Sequence, residues 1–151
     1  MGGHTYGSCL YHFVFSTRNR TKLILPEWMG RLWDYMGGIA RENGMKSLIA
    51  GGTENHCHIF LMIPPSMAPA KGIQLIKAGS SKWANEEIAP SVRFQWQEGY
   101  GVFTNGFSQI EATTKYIRNQ GEHHRKRTFE DEYKAFLKMH MIEYQEDYVF
   151  G

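Results

Sequence analysis

Asn55-His56-Cys57-His58-Ile59-Phe60-Leu61-Met62-Ile63 is the stretch that decides how this chain folds. Gly51-Gly52-Thr53-Glu54 precedes it and Pro64-Pro65 follows it, and proline cannot donate to a sheet ladder, so the run reads as one strand with punctuation at both ends. Side chains alternate along a strand. His56, His58, Phe60 and Met62 therefore share one face, and Cys57, Ile59, Leu61 and Ile63 share the other. The second set is apolar and belongs against a core. The first set begins with two imidazoles that can each turn a nitrogen toward a common divalent cation. Such a pair is more often structural than functional when alone, so a site needs further groups from elsewhere in the chain.

Working outward, Met45 to Ala50 reads as a strand joined to this one by a turn at Gly51-Gly52-Thr53-Glu54, the two pairing antiparallel. Ser8 to Thr17 alternates in the same way, with Cys9, Tyr11, Phe13 and Phe15 on one face and His12 on the other as a hydrogen-bonded sheet histidine. Arg18, Arg20 and Lys22 follow in a loop where phosphate contact is one role and solvation another. Pro26 opens a helix whose Trp28, Leu32, Tyr35 and Ile39 recur at helical spacing as core, and Asn43-Gly44 ends it. A second helix is expected over Pro69 to Glu87, buried through Ile73, Ile76, Ser80 and Trp83, with Lys77 and Lys82 able to reach a phosphate backbone. Phe94 to Trp96 and Tyr100 to Phe107 are extended runs.

A helix then starts at a Ser108-x-x-Glu111 capping box and carries Tyr116 and Gln120 on one face, four residues apart. Thr128 with Asp131 caps a last helix marked by Phe129, Tyr133, Phe136, Leu137 and Met141, and the tail Tyr144 to Phe150 packs back on the body. His123 and His124 read as surface residues at a helix end. The order strand, helix, strand, strand, helix, strand matches the split βαβ arrangement. The expected class is α+β, a ferredoxin-like (RRM-like) antiparallel sheet with helices on one face, plus a tyrosine-bearing helix and a C-terminal helix. One domain is expected over residues 1–151, with Met1 to Gly3 as a disordered leader.

Composition agrees with a folded chain: 42% hydrophobic and 14% aromatic residues in 151 are enough for a core. No run approaches a membrane span and no signal-peptide pattern opens the sequence. Cys9 and Cys57 lack CxxC spacing, which argues against a zinc knuckle or redox motif and fits a reducing compartment. From Glu130 onward six acidic residues face two lysines, a segment charge of −4, so with a net charge of +2 residues 1–129 carry +6. A basic body fits a nucleic-acid binder.

Taken together these residues resemble the single-tyrosine HUH transposases of small bacterial insertion sequences, including the REP-associated tyrosine transposases. The likeness runs through Tyr11 to Arg20, Asn55-His56-Cys57-His58, Ile76 to Trp83, Trp96 to Phe103 and Tyr116-Ile117-Arg118-Asn119-Gln120, nearly the whole chain in order. It implies His56, His58 and Gln120 as ligands of Mg²⁺ or Mn²⁺ and Tyr116 as nucleophile. It also implies single-stranded DNA cleavage through a 5′-phosphotyrosine, recognition of DNA hairpins, and a homodimer whose tyrosine helix often serves the partner's site. DNA contacts are then expected at Arg18, Arg20, Lys22, Lys77, Lys82 and Arg118, and the setting is a prokaryotic cytoplasm in association with the nucleoid. Cys57 stands where an aliphatic residue is usual, and Gly121 is expected to loosen the tyrosine helix. Two other readings use the same residues: a domesticated relative that binds DNA hairpins without mobilising them, and an RNA-binding ferredoxin-like module with aromatics exposed on central strands, against which the lack of an RNP1 pattern counts.

Overall fold

The sheet forms around the histidine strand, β3 (His56–Met62), which has a neighbour on each side. This computed structural model describes residues 3–88 and 93–151, so Met1 and Gly2 of the expected leader lie outside the described residues. The other strands are β1 (Leu10–Ser16), β2 (Lys46–Thr53) and β4 (Gly101–Asn105), all antiparallel in the order β2-β3-β1-β4. This is the expected ferredoxin-like arrangement. Register places Val14 opposite His58 and Ser16 opposite His56, with His12 opposite Phe60, so all of these share one face.

The opposite face carries the main core. Phe13, Phe15, Cys57, Ile59 and Leu61 pack there against α1 (Pro26–Glu42) and α2 (Pro69–Trp83). In α1 the buried stripe is Trp28, Leu32, Met36 and Ala40, each four residues from the last, which keeps them on one side of the helix. Tyr35, expected inside, is 41% exposed and stacks on Trp83. The α-helical part of α2 stops at Trp83, short of the expected Glu87, and passes into a π-turn over Ala84–Ile88.

The histidine face is covered too. Leu10, Phe60 and Ile117 form one cluster beneath α3 (Ile110–Arg118). Val14 and Phe103 form another with Phe129, Tyr133 and Leu137 of α5 (Phe129–Met139), onto which Tyr144, Val149 and Phe150 of the tail fold back. With Phe13, Phe15 and Phe60 fully buried, β1 and β3 offer no exposed aromatic platform of the kind an RNA-binding sheet uses.

Three local expectations are corrected. Gly51 and Gly52 are not a turn but the last part of β2, and the chain reverses at Glu54-Asn55. Ile117 packs so closely over β2 that a Cβ on Gly51 would lie 2.8 Å from the Ile117 carbonyl oxygen, and one on Gly52 would lie 2.1 Å from that of His56. Ser108 caps nothing: it sits in a 3₁₀ turn, Phe107–Gln109, where the Gln109 side chain accepts a hydrogen bond from the Gly106 N–H at 2.8 Å. The Phe94–Trp96 run makes only a single bridge, Trp96 to Thr17. The Thr128 cap is as expected, its hydroxyl accepting from the Asp131 N–H at 3.1 Å.

Candidate active site

His56 and His58 are fully buried, and each ring is fixed from behind. The Nδ1 of His56 lies 2.9 Å from the Thr53 hydroxyl and 3.0 Å from Asn55 Oδ1. His58 Nδ1 lies 2.8 Å from His12 Nε2, so the sheet histidine His12 orients its diagonal neighbour across the β1–β3 pair. Both Nε2 atoms therefore point into the space between the sheet and the helices above it.

Three helices supply what meets them. Asn119, with φ −97° and ψ 25°, interrupts the helix between Arg118 and Gln120, so the tyrosine motif is not one continuous helix as expected. The break falls at Asn119 rather than Gly121, and Gln120 starts the short α4 (Gln120–His123). Tyr116 and Gln120 nonetheless converge on the histidines. Gln120 Oε1 lies 2.9 Å from His56 Nε2, and the Tyr116 ring is 5.8 Å from that of His58, edge-on.

The residue at the centre is Glu132 of α5, fully buried. Its Oε1 accepts from His58 Nε2 at 3.0 Å and from His124 Nε2 at 3.1 Å, and lies 3.5 Å from His56 Nε2. Its Oε2 accepts from the Tyr116 hydroxyl and from Gln120 Nε2, the latter at 3.2 Å. A carboxylate can only accept, so His58 donates through Nε2 and receives at Nδ1 from His12. Sequence reading passed over Glu132 as one acidic residue of a charged segment. The signal was there: once Thr128 fixes the helix start, Glu132 falls between Phe129 and Phe136 on the apolar stripe, and a carboxylate on a buried stripe needs partners.

His123 and His124 are likewise not simple surface residues. His124 joins Glu132, and His123 stacks on Tyr116 at 4.5 Å with its Nε2 buried and without a partner.

Electrostatics follows from this enclosure. Burial, reinforced by His58, lowers the His56 pKa from 6.5 to about 3, so its ring is neutral at neutral pH, the form that binds a metal. Burial and His58 also push His12 well down. For Glu132 burial acts upward, but hydrogen bonds from His124 and His58 outweigh it and hold the carboxyl well below its usual range. Burial, then the Glu132 hydrogen bond and charge, push the Tyr116 phenol above its usual 10.

The donor set fits a divalent cation. His56, His58 and Glu132 each offer a ligand atom, and these atoms lie within 4.8 Å of one another. Gln120 Oε1 is beside them, so two imidazoles, a carboxylate and an amide oxygen converge, a mixed nitrogen and oxygen set suited to Mn²⁺ or Mg²⁺.

The expected DNA contacts are dispersed. Arg18 reaches Gln95 at 3.3 Å. Arg20 pairs with Glu130 at 3.5 Å and lies over the Phe150 ring. Lys22 lines a hollow beside Asn55 and His124. Lys82 and Arg118 are exposed at the ends of their helices. Lys77 serves the fold: its ammonium donates to the carbonyls of Gln97, Glu98 and Gly99, and burial lowers its pKa to about 8.

A family model described as "Transposase IS200 like" matches residues 5–120, a span that includes both histidines, Tyr116 and Gln120. The transposase of insertion sequence element IS200 from Salmonella typhimurium is 26% identical over 125 residues, covering 79% of this chain and 81% of that one, and the Salmonella typhi protein matches equally. Among solved structures, a chain described as a transposase from Deinococcus radiodurans R1 superposes with a TM-score of 0.62 at 21% identity, over 80% of this chain and 97% of that one. A REP-associated tyrosine transposase bound to a REP hairpin gives 0.59 at 14% identity, over 82% and 74%. At those identities the two structures speak for the fold, and the family match over most of the sequence speaks for kinship: this chain belongs to the IS200-like transposases.

Proposed function

We propose that this chain is a single HUH endonuclease domain, residues 1–151, that cuts and rejoins single-stranded DNA through Tyr116 with a divalent cation, Mg²⁺ or Mn²⁺, held by His56, His58, Gln120 and Glu132. The observation that carries the reading is the convergence of a phenol, two back-braced imidazoles, an amide and a carboxylate at one buried point, from four separate elements. The substrate is a strand bearing a hairpin, by likeness to the neighbour whose structure holds a REP hairpin. No helix of the described residues is long and apolar enough to cross a membrane, which agrees with work in the cytoplasm near the nucleoid. Homodimerisation is part of the proposal on family grounds.

The chain's own residues divide the chemistry. A bound cation would supply positive charge to the phosphate oxygens and the departing alkoxide. Glu132 holds the Tyr116 hydroxyl with Oε2 while its Oε1 faces the imidazoles, so it links nucleophile to ligand set. As the Tyr116 oxygen bonds to phosphorus, its proton passes to Glu132 Oε2. The bond from phosphorus to the 3′-oxygen breaks, and that oxygen leaves as a 3′-hydroxyl after taking up a proton. Burial and Glu132 raise the phenol pKa, so Tyr116 is protonated at neutral pH and must give up its proton to react. His12, Thr53 and Asn55 hold the imidazoles in position and choose which nitrogen faces inward.

Incubating the protein with hairpin-bearing single strands and Mn²⁺ tests this. A denaturation-resistant protein–DNA adduct is expected from the native chain, and none from Tyr116→Phe, which should still bind the strand. An adduct from the Phe variant would mean another nucleophile.

A further inference from the structure

We propose that the hollow between α3 and α5 holds one nucleobase of the single-stranded substrate, the base adjoining the phosphate that Tyr116 attacks; this rests on the functional reading above. The hollow encloses about 380 Å³ directly beside Tyr116, within the range of small-molecule sites. Its walls are flat and aromatic. The Phe136 ring stacks on Phe103 at 5.1 Å and stands edge-on to Tyr116 at 5.8 Å, while His140 stacks on the same Phe103 at 4.7 Å. Met139, 74% exposed, also lines it. Aromatic faces beside an apolar edge suit any base by stacking, which is how single strands are held without pairing.

The remaining lining is polar at the edge. Asn105 and Gln109 line the hollow; their amide oxygens accept from the Thr113 hydroxyl and the Gly106 N–H, which leaves their NH₂ groups to donate to an acceptor on a base edge. On α3 the lining residues are Ala112, Thr113 and Tyr116, and the small Ala112 leaves the space open.

The other side of Tyr116 carries charged side chains. Arg127 lines this hollow and also a second one formed with Lys126, His123 and Tyr116. There Lys126 and Arg127 bring two cationic side chains beside Asn119 and the single acid Glu122. A backbone crossing Tyr116 would pass Arg127, which borders both hollows, with Lys126 on one flank and the slot for a base on the other, the attacked phosphorus between them. An apolar peptide would find the slot but would leave the basic flank unmatched.

Ala112→Trp fills the slot from an exposed helix position, and Ala112→Leu fills it partly. Binding is read by anisotropy in a Tyr116→Phe background, on a hairpin-bearing single strand that gives the adduct with native protein, with 2-aminopurine or an abasic residue placed at each position in turn. One position next to the adducted phosphate should show strong 2-aminopurine quenching, and an abasic residue there should weaken binding about tenfold. Ala112→Trp should weaken binding by the same factor, abolish the quenching, and be indifferent to the abasic substitution; Ala112→Leu should fall between. If Ala112→Trp binds the whole series as the background protein does, while native protein still forms its adduct, the base lies elsewhere and cleavage stands. If native protein neither binds nor links to any such strand, the functional reading falls and the subsite with it.

Discussion

Glu132 concentrates the consequences of single-residue change. All four groups that contact its carboxylate within hydrogen-bond distance are donors: His58, His124, Tyr116 and Gln120. Glu132→Gln preserves shape but turns one acceptor into an NH₂ facing donors, leaving buried polar groups unsatisfied at a cost of about 1–3 kcal/mol. It also removes the single negative charge from the donor set, and loss of a ligand should lower affinity by at least the roughly 10–100-fold that loss of a ligand's supporting partner costs. A lower urea midpoint and weaker Mn²⁺ binding by EPR titration are expected together; a variant matching native protein in both would show that Glu132 is incidental to the site. Strand alternation puts His56 and His58 on one face, and the resemblance singles out Tyr116 and Gln120, which the fold brings to the same point. The helical period marks Glu132 only as a carboxylate on an apolar stripe; which groups it meets is settled when α5 is laid over a strand 74 positions earlier, and no local period encodes that pairing.

At the scale of elements, the seating of α3 on β2 decides where the nucleophile stands. Gly51 lies under Ile117, next in sequence to Tyr116, and an added Cβ would meet the Ile117 carbonyl oxygen at 2.8 Å and its Cγ2 at 3.0 Å. Helix backbone cannot give way locally as a flexible side chain can, so Gly51→Ala should push α3 outward, with a loss of about 1–3 kcal/mol of stability as in overpacked cores. Because His56 and His58 ride on β3, Mn²⁺ affinity should change less than the rate of adduct formation. Equal losses of both would instead indicate that the sheet itself is disturbed. The sequence reading placed the strands and helices in the right order but took this glycine pair for a turn, since two adjacent glycines are the commonest punctuation between strands. What they provide here is clearance for a helix that arrives 60 residues later. The interruption at Asn119 was missed for a related reason: Tyr116 and Gln120 meet the site through tertiary contacts rather than through one unbroken helix.

For the whole molecule the question is whether one chain completes a site or two chains exchange tyrosines. The resemblance on which the family expectation rests allows the tyrosine helix to serve a partner, but here Tyr116 bonds to Glu132 and faces His58 of its own chain. Moving α3 to a partner would pull Ile117 from its cluster with Phe60 and Leu10 and strip Gly51 of its cover. Burying one such aliphatic side chain is worth about 1.5–3 kcal/mol, and the Tyr116–Glu132 hydrogen bond would be lost besides, unless the partner rebuilt the same contacts. A site assembled within one chain makes a sharp forecast. Tyr116→Phe and His58→Asn should each be inactive in adduct formation, and mixing them, even after co-expression to allow mixed dimers, should restore nothing. An exchanged arrangement would give one intact site in each mixed dimer, carrying Tyr116 from one chain and His58 from the other. With half of the randomly assorted dimers mixed, recovery toward about a quarter of native adduct per site would then overturn the single-chain site while leaving the tyrosine chemistry in force.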